Sequence, residues 1–264
     1  MPGVSCSVPG METPDHIAVL RESGAALADV AQGNLDRPVP ACPDWTVADL
    51  VRHVGATHHF WRSIVTGEAT DPRDHVAPRI PDDSALLAWY REGLAETARV
   101  MAEADPAEPR WTWAPRKDVG FIRRRAAQET LVHAWDAQDS RGGPEDLPAG
   151  AAVDGIDEFL EVILPLGGAP GGGAEGGGET VRLRAVDTGD VWTVGRGADA
   201  WEVLRSEVGN GWTVTPDPSL ATVAVEGFAS DLLLLLWDRT DTFRTEIAGD
   251  REALARFLEA AETA

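Results

Sequence analysis

The sequence is short of lysine, cysteine and long apolar runs, and each shortage removes a class of function. Lys117 is the only lysine among 23 basic residues, and these face 44 aspartates and glutamates in a chain of 264, a formal net charge of −21. So acidic a surface repels phosphate backbones instead of recruiting them through counterion release, and nucleic acid is not an expected partner. The longest apolar run, Leu232 to Trp237, falls far below the roughly 20 residues that cross a bilayer, so no membrane partner is expected either. Cys6 and Cys42 are the only cysteines, too few for a disulfide framework. The opening residues MPGVSCSVPGMETPD lack the basic and apolar regions of a secretion signal, and the expected setting is a reducing cytoplasm.

What is present is a globular composition, 43% hydrophobic and 25% charged. A prior of about 150 residues per domain allows one large domain or two small ones. The periodicity favours two. Residues 1–148 carry helical patterns almost throughout, residues 149–178 read as a helix followed by a linker, and residues 179–264 alternate as strands do. Within the middle segment, Gly167 to Gly178 holds eight of the 27 glycines, a composition that reads as a flexible linker. A phosphate-cradling loop would need a following Gly-Lys-Ser/Thr, and none is there.

Thr13 and Pro14 read as the cap and first position of a helix whose inner face is Ile17, Leu20, Gly24, Leu27 and Ala31. A second helix opens at Thr46, where Thr46 and Asp49 have capping-box spacing; its inner stripe is Leu50, His53/Val54, Thr57, Phe60/Trp61 and Ile64. A third starts near Ser84 and buries Leu86/Leu87, Tyr90, Leu94, Thr97/Ala98 and Met101. A fourth runs from about Phe121 to Ser140, and together these predict a four-helix bundle. A fifth helix is expected over Ala151 to Leu164. Beyond the glycine run, Val181 to Val186, Val191 to Val194 and Thr222 to Glu226 read as strands, Ser230 to Trp237 as a leucine-rich helix, and Asp250 to Leu258 as a last helix. The fold class is α followed by a small α+β domain.

Helical bundles build metal sites from inward His and carboxylates, paired at i, i+3 or i, i+4 because those positions share a face. Glu129 and His133 have that spacing on the fourth helix, and His53 lies at the edge of the second helix's apolar stripe. Two imidazoles and a carboxylate make a three-ligand site with an open position for a divalent ion. The spacing alone leaves the alternative open that His133 is a hydrogen-bonded core residue and the Glu–His pair a coincidence. His58 and His59 are expected to be partly exposed. Asp136, three residues past His133, is either a partner that orients His133 or an exposed acid. Cys42 reads as structural, and Trp111 and Trp113, in a polar loop, as candidates to line an entrance.

The words around these residues add more. Val39-Pro-Ala-Cys-Pro-Asp-Trp-Thr-Val-Ala-Asp-Leu-Val-Arg-His53 and Arg123-Arg-Arg-Ala-Ala-Gln-Glu-Thr-Leu-Val-His-Ala-Trp-Asp136 resemble the mycothiol-dependent maleylpyruvate isomerase family, as do Ala229-Ser-Asp-Leu-Leu-Leu-Leu-Leu-Trp-Asp-Arg239 and Ala248-Gly-Asp-Arg251. The resemblance implies a DinB-like metal-binding bundle followed by a sterol-carrier-like α+β domain. It implies a divalent metal, zinc first, held by His53, Glu129 and His133, with Arg239 implicated in catalysis and mycothiol as thiol cosubstrate. The activity implied is thiol transfer or cis–trans isomerisation of a small electrophilic or unsaturated substrate. Mycothiol belongs to GC-rich actinobacteria, which agrees with arginine replacing lysine here. Gln128 departs from the His that many relatives carry before the metal-binding Glu. A metal-dependent hydrolase and a non-catalytic small-ligand-binding protein are the competing readings, and the oligomeric state is not legible.

Overall fold

The structure, a computed structural model, describes residues 14–167, 179–197, 201–206 and 221–262. The chain divides into two compact units, Asp15–Glu145 and the residues from Asp146 onward. The first is helical and the second is built on a mixed five-stranded sheet, the α then α+β order expected from the periodicity. The glycine run past Gly167, and Cys6 and Thr13 with it, lies outside the described residues. No helix among the described residues is long and apolar enough to cross a membrane.

The first unit consists of α1 (His16–Ala31), α2 (Val47–Thr66), α3 (Asp83–Glu103) and α4 (Val119–Asp139). The first helix begins later than Thr13–Pro14 predicts. Asp15 is its cap, accepting from the amides of Ile17 and Ala18, because a carboxylate at this position meets two amides that the helix leaves unsatisfied. The expected inner face, Ile17, Leu20, Gly24, Leu27 and Ala31, is buried. Thr46 and Asp49 form the full capping box of α2, and Asp118 caps α4 by accepting from Phe121 N. The larger contacts are those of α1 with α3 and α4 and of α2 with the same two, while α1 and α2 touch each other less. Around the bundle the order is therefore α1, α3, α2, α4, which makes α2 and α4 neighbours. Glycine permits two of these approaches, since a Cβ on Gly24 would meet the Leu94 side chain at 2.6 Å and one on Gly55 the Trp89 ring at 2.4 Å.

Packing α2 on two helices also corrects the reading of His58. A single inner stripe leaves His58 outside it, but the helix buries a second line, Val51, Gly55, His58 and Val65. His58 is fully buried. Its Nε2 is 2.8 Å from Thr130 Oγ1 on α4, and its ring faces Tyr90 of α3 at 5.9 Å between centroids. His59 is partly exposed and meets the ring of His75, 5.3 Å away.

The second unit opens with α5 (Ala149–Glu158), which widens into a π-turn at Phe159–Ile163 and tightens into a 3₁₀ turn at Leu164–Gly167. The fifth helix thus extends the predicted span at both ends but is α-helical only in its first part. The strands are β1 (Thr180–Ala185), β2 (Val191–Arg196), β3 (Trp201–Ser206), β4 (Val223–Gly227) and β5 (Glu246–Gly249), in sheet order β3-β2-β1-β4-β5. Only β1 and β4 run parallel. These two form the sheet's centre, and helices α6 (Ala229–Leu236) and α7 (Arg251–Glu262) pack on both. Val181, Leu183, Val223 and Val225 are accordingly buried, as a parallel pair requires. α5 is tied to the sheet through Asp157, which accepts from Trp192 Nε1 at 2.7 Å and pairs with Arg205.

The burial of His58 has a thermodynamic signature. Loss of hydration outweighs the nearby Glu129 charge and lowers its pKa to about 4. Between pH 6.5 and about 4 the unfolded chain binds a proton that the folded protein does not, so stability falls with acidification across that window, by about 3 kcal/mol in full. Urea unfolding followed from about pH 7 down to about pH 4 should show this loss, and a His58→Gln variant should lose most of the slope. An unchanged slope would assign it to other groups.

Candidate functional site

The chemistry-bearing residues of α4 recur on one side of the helix. Arg125, Glu129, His133 and Asp136 follow one another at spacings of four, four and three residues, which places them on one face and alternates their charge. Arg125 Nη2 donates to Glu129 Oε2 at 3.0 Å. The other oxygen, Oε1, lies 3.3 Å from His133 Nε2 and 3.0 Å from Nε2 of His53, supplied by the neighbouring α2. His133 Nδ1 then contacts Asp136 Oδ2 at 2.8 Å. The structure thus brings His53, Glu129 and His133 together, with ligand atoms all within 4.8 Å of one another. Two imidazole nitrogens and a carboxylate oxygen at such separations fit a divalent ion such as zinc by donor type and number.

The cluster opens at one edge. Side-chain exposure falls from 37% at His53 through 23% at Glu129 and 11% at His133 to none at Asp136, so a small molecule arriving from solvent meets His53 first. Trp45 covers part of that opening, its ring 5.0 Å from His53 and 6.5 Å from His133 between centroids. The loop carrying it is closed on itself by Val39 N donating to Trp45 O and Trp45 N to Cys42 O. Asp44 takes a positive φ of 67°, a conformation that Asp adopts more readily than most residues and that turns the chain just before the tryptophan. Cys42 in the same loop directs its Sγ to Asp136 Oδ2, 3.9 Å away.

The electrostatics follow from burial and pairing. Burial opposes ionisation of Glu129, but hydrogen bonds from His133 and His53 and the Arg125 charge prevail and hold its carboxyl well below the usual range. Burial likewise opposes the imidazolium of His133, yet the bonds to Asp136 and Glu129 overcome it and raise its pKa to about 9. The two carboxylates thus favour a positive charge on His133, where the cluster's negative groups converge.

Residues 18–138 match the model of the mycothiol maleylpyruvate isomerase N-terminal domain, and residues 151–256 match that of the MDMPI C-terminal domain. The chain belongs to the mycothiol-dependent maleylpyruvate isomerase family. A crystal structure of the mycothiol-dependent maleylpyruvate isomerase matches with a TM-score of 0.58 at 14% identity, covering 91% of this chain and 93% of that one. A structure of a histidine-to-alanine mutant of that enzyme matches with a TM-score of 0.56, also at 14% identity and with the same coverage. At this identity the likeness concerns the fold. Comparison with curated proteins gives no match.

Within this family fold, the other sequence candidates find their places. Arg239 belongs to the second unit, just past α6. Asp238 has a positive φ of 53°, Asp238 N donates to Leu235 O, and Arg239 N donates to Leu234 O. This is a Schellman ending with Asp in the position usually held by Gly, and it fixes the backbone from which the Arg239 side chain leaves. Gln128 is buried beside Glu129 on α4. Trp113 packs on Phe121, and Trp111 lines a groove of about 510 Å³ with Ile64 and Lys117. Ile64 is eleven residues along α2 from His53, about 16 Å of helix, so that groove is separate from the His53 cluster.

Two participants, Arg125 and Trp45, had no assigned role in the sequence reading, and a third, Cys42, was read as structural without a partner being named. Arg125 was findable, since it stands four residues before Glu129 and an Arg–Glu pair at that spacing is a known helix contact. Trp45 lies inside the quoted family word, but which way its ring turns depends on Asp44. The approach of Cys42 to Asp136 spans 94 positions and has no local signal.

The carboxylate at Asp136 is what most directly charges His133. Replacing it by Asp136→Asn in the metal-free protein should lower the His133 pKa by about 1–3 units, because the burial that opposes the imidazolium remains. An NMR titration of the imidazole reads this out, and a pKa that stays near 9 would mean that Glu129 alone sustains it.

Proposed function

We propose that the chain is a metal- and mycothiol-dependent enzyme of the S-transferase or cis–trans isomerase type, acting on a small unsaturated or electrophilic carboxylate. The observation that carries the reading is the position of Glu129 Oε1 between His53 Nε2 and His133 Nε2. His53, Glu129 and His133 are the proposed ligands. A divalent ion held there would supply the positive charge that lowers a thiol's pKa and provides thiolate at neutral pH.

The protein's own groups supply the rest. Arg125 occupies Glu129 Oε2 and leaves Oε1 directed at the two imidazoles. Asp136 accepts from His133 Nδ1, which fixes the tautomer that presents Nε2 to the cluster. The indole of Trp45 walls the opening beside His53, limiting water around a thiol sulfur bound there. Arg239 is proposed to hold a substrate carboxylate through paired guanidinium bonds. In the isomerase form, thiolate adds to one alkene carbon of the activated substrate and a proton completes the neighbouring position. Rotation about the new single bond, loss of that proton and expulsion of the thiolate restore the alkene in the other geometry. A transferase stops at the adduct.

The test is metal analysis of the purified protein, mycothiol titration, and turnover assays starting with maleylpyruvate, the substrate named for the crystallised relative. His53→Ala, Glu129→Gln and His133→Ala should each weaken metal binding by more than the roughly 10–100-fold that loss of a supporting partner costs, and abolish thiol-dependent turnover. Arg239→Ala should raise KM for a carboxylate substrate while metal content stays constant. Full turnover without added thiol would replace the reading by a metal-dependent hydrolase, and unchanged metal content in all three ligand variants would remove it.

A further inference from the structure

His133 has two ring nitrogens, and each faces a different set of metal-binding atoms. Nε2 faces Glu129 and His53. Nδ1 faces Asp136 Oδ2 at 2.8 Å, and Cys42 Sγ is 3.9 Å from that same oxygen. Cys42, His133 and Asp136 offer ligand atoms that all lie within 4.8 Å of one another, as closely gathered as those of the first set. The two sets differ in kind. The first is nitrogen and oxygen only; the second adds a thiol, the donor that favours soft, thiophilic ions.

We propose that Cys42 Sγ, His133 Nδ1 and an Asp136 carboxylate oxygen form a second metal site, selective for thiophilic divalent ions and exclusive of the first. Exclusivity follows from proton placement on one imidazole. When Nε2 serves the first set, Nδ1 keeps the proton and donates it to Asp136. When Nδ1 binds an ion in the second set, the imidazole retains one proton on Nε2, which then donates to Glu129 Oε1, 3.3 Å away. Ion binding in the second set forms a metal–sulfur and a metal–nitrogen bond and releases the Cys42 thiol proton and the His133 Nδ1 proton to solvent; no oxidant or reductant is needed. The consequence is that exposure to a soft ion diverts His133 from the first set and takes that set apart. Cys42 is partly exposed, and its contact with Asp136 is only partly buried.

Cadmium is the probe, in a Cys6→Ser background that leaves Cys42 as the only thiol. Adding His53→Ala to remove the first set alone should leave one equivalent of Cd²⁺ bound, with a thiolate-to-cadmium absorption band in the near ultraviolet. Adding Cys42→Ser to that protein should abolish the band and weaken Cd²⁺ binding about tenfold or more. With His53 intact, Cys42→Ser should still bind one equivalent, without the band. The ¹⁵N shifts of His133 give a readout that does not depend on the His53 variant folding: in the Cys6→Ser protein, Cd²⁺ should remove the proton from Nδ1 and leave Nε2 protonated. Absence of the band while Cys42 is present, a band that survives Cys42→Ser, or a proton that stays on Nδ1 would each overturn the second site. Binding of two equivalents while His53 and Cys42 are both intact would overturn exclusivity. Neither Cys42 nor Asp136 is among the ligands of the first set, so failure here leaves the thiol chemistry proposed above standing.

Discussion

The arrangement of the helical unit around its site depends on one partly buried carboxylate. An ionised Glu within a bundle is costly unless every oxygen is matched, and breaking such a pairing from one side costs about 3–5 kcal/mol. Glu129 meets that condition through Arg125 on its own helix and through His133 and His53. The last of these comes from α2, so matching the charge also fixes how α2 lies along α4. The neighbour order of the bundle, with α2 beside α4, is what makes this match available.

Supports radiate outward from that carboxylate. His133 passes the interaction to Asp136, whose burial is complete, and Asp136 in turn meets the Cys42 loop. The loop returns Trp45 over His53 and His133. A chain of contacts thus runs from Arg125 to Trp45 through alternating charges, each partner holding the next in one orientation. Preorganisation of this kind is what a metal or a thiol needs, because ligands already aimed inward lose little freedom on binding. The second unit anchors its own candidate residue differently, through the helix-ending turn at Asp238 that fixes the Arg239 backbone.

Much of this was legible in the sequence, because local chemistry determines it. The Thr46–Asp49 capping box, the inner faces of α1 and α3 and the i, i+4 pair on α4 rest on interactions between near neighbours. The two strands without a clear signal, β3 and β5, are the sheet's edges. An edge strand pairs on one side only and buries little; most of β3 and β5 is exposed, so neither needs the strong alternation that marks a strand. His58 was misjudged for the opposite reason. Its burial depends on α2 being packed by two helices, and one helical stripe read in isolation carries no trace of the second partner. Asp136 had two readings at the sequence level, and burial beside His133 decided between them.

The acidity of the whole chain acquires a local meaning at the cluster. At a net charge of −21, added negative charge is disfavoured nearly everywhere on the surface, yet the proposed chemistry needs a thiolate and a carboxylate substrate in one place. The cluster itself favours positive charge, since Asp136 and Glu129 raise the His133 pKa to about 9. A divalent ion at His53, Glu129 and His133 would compete with that proton for the same imidazole nitrogen, and would leave more positive charge than it displaces. The carboxylates of the cluster are therefore groups that would let a cation reside there, and a resident cation would let an acidic protein accept the anionic reactants proposed above.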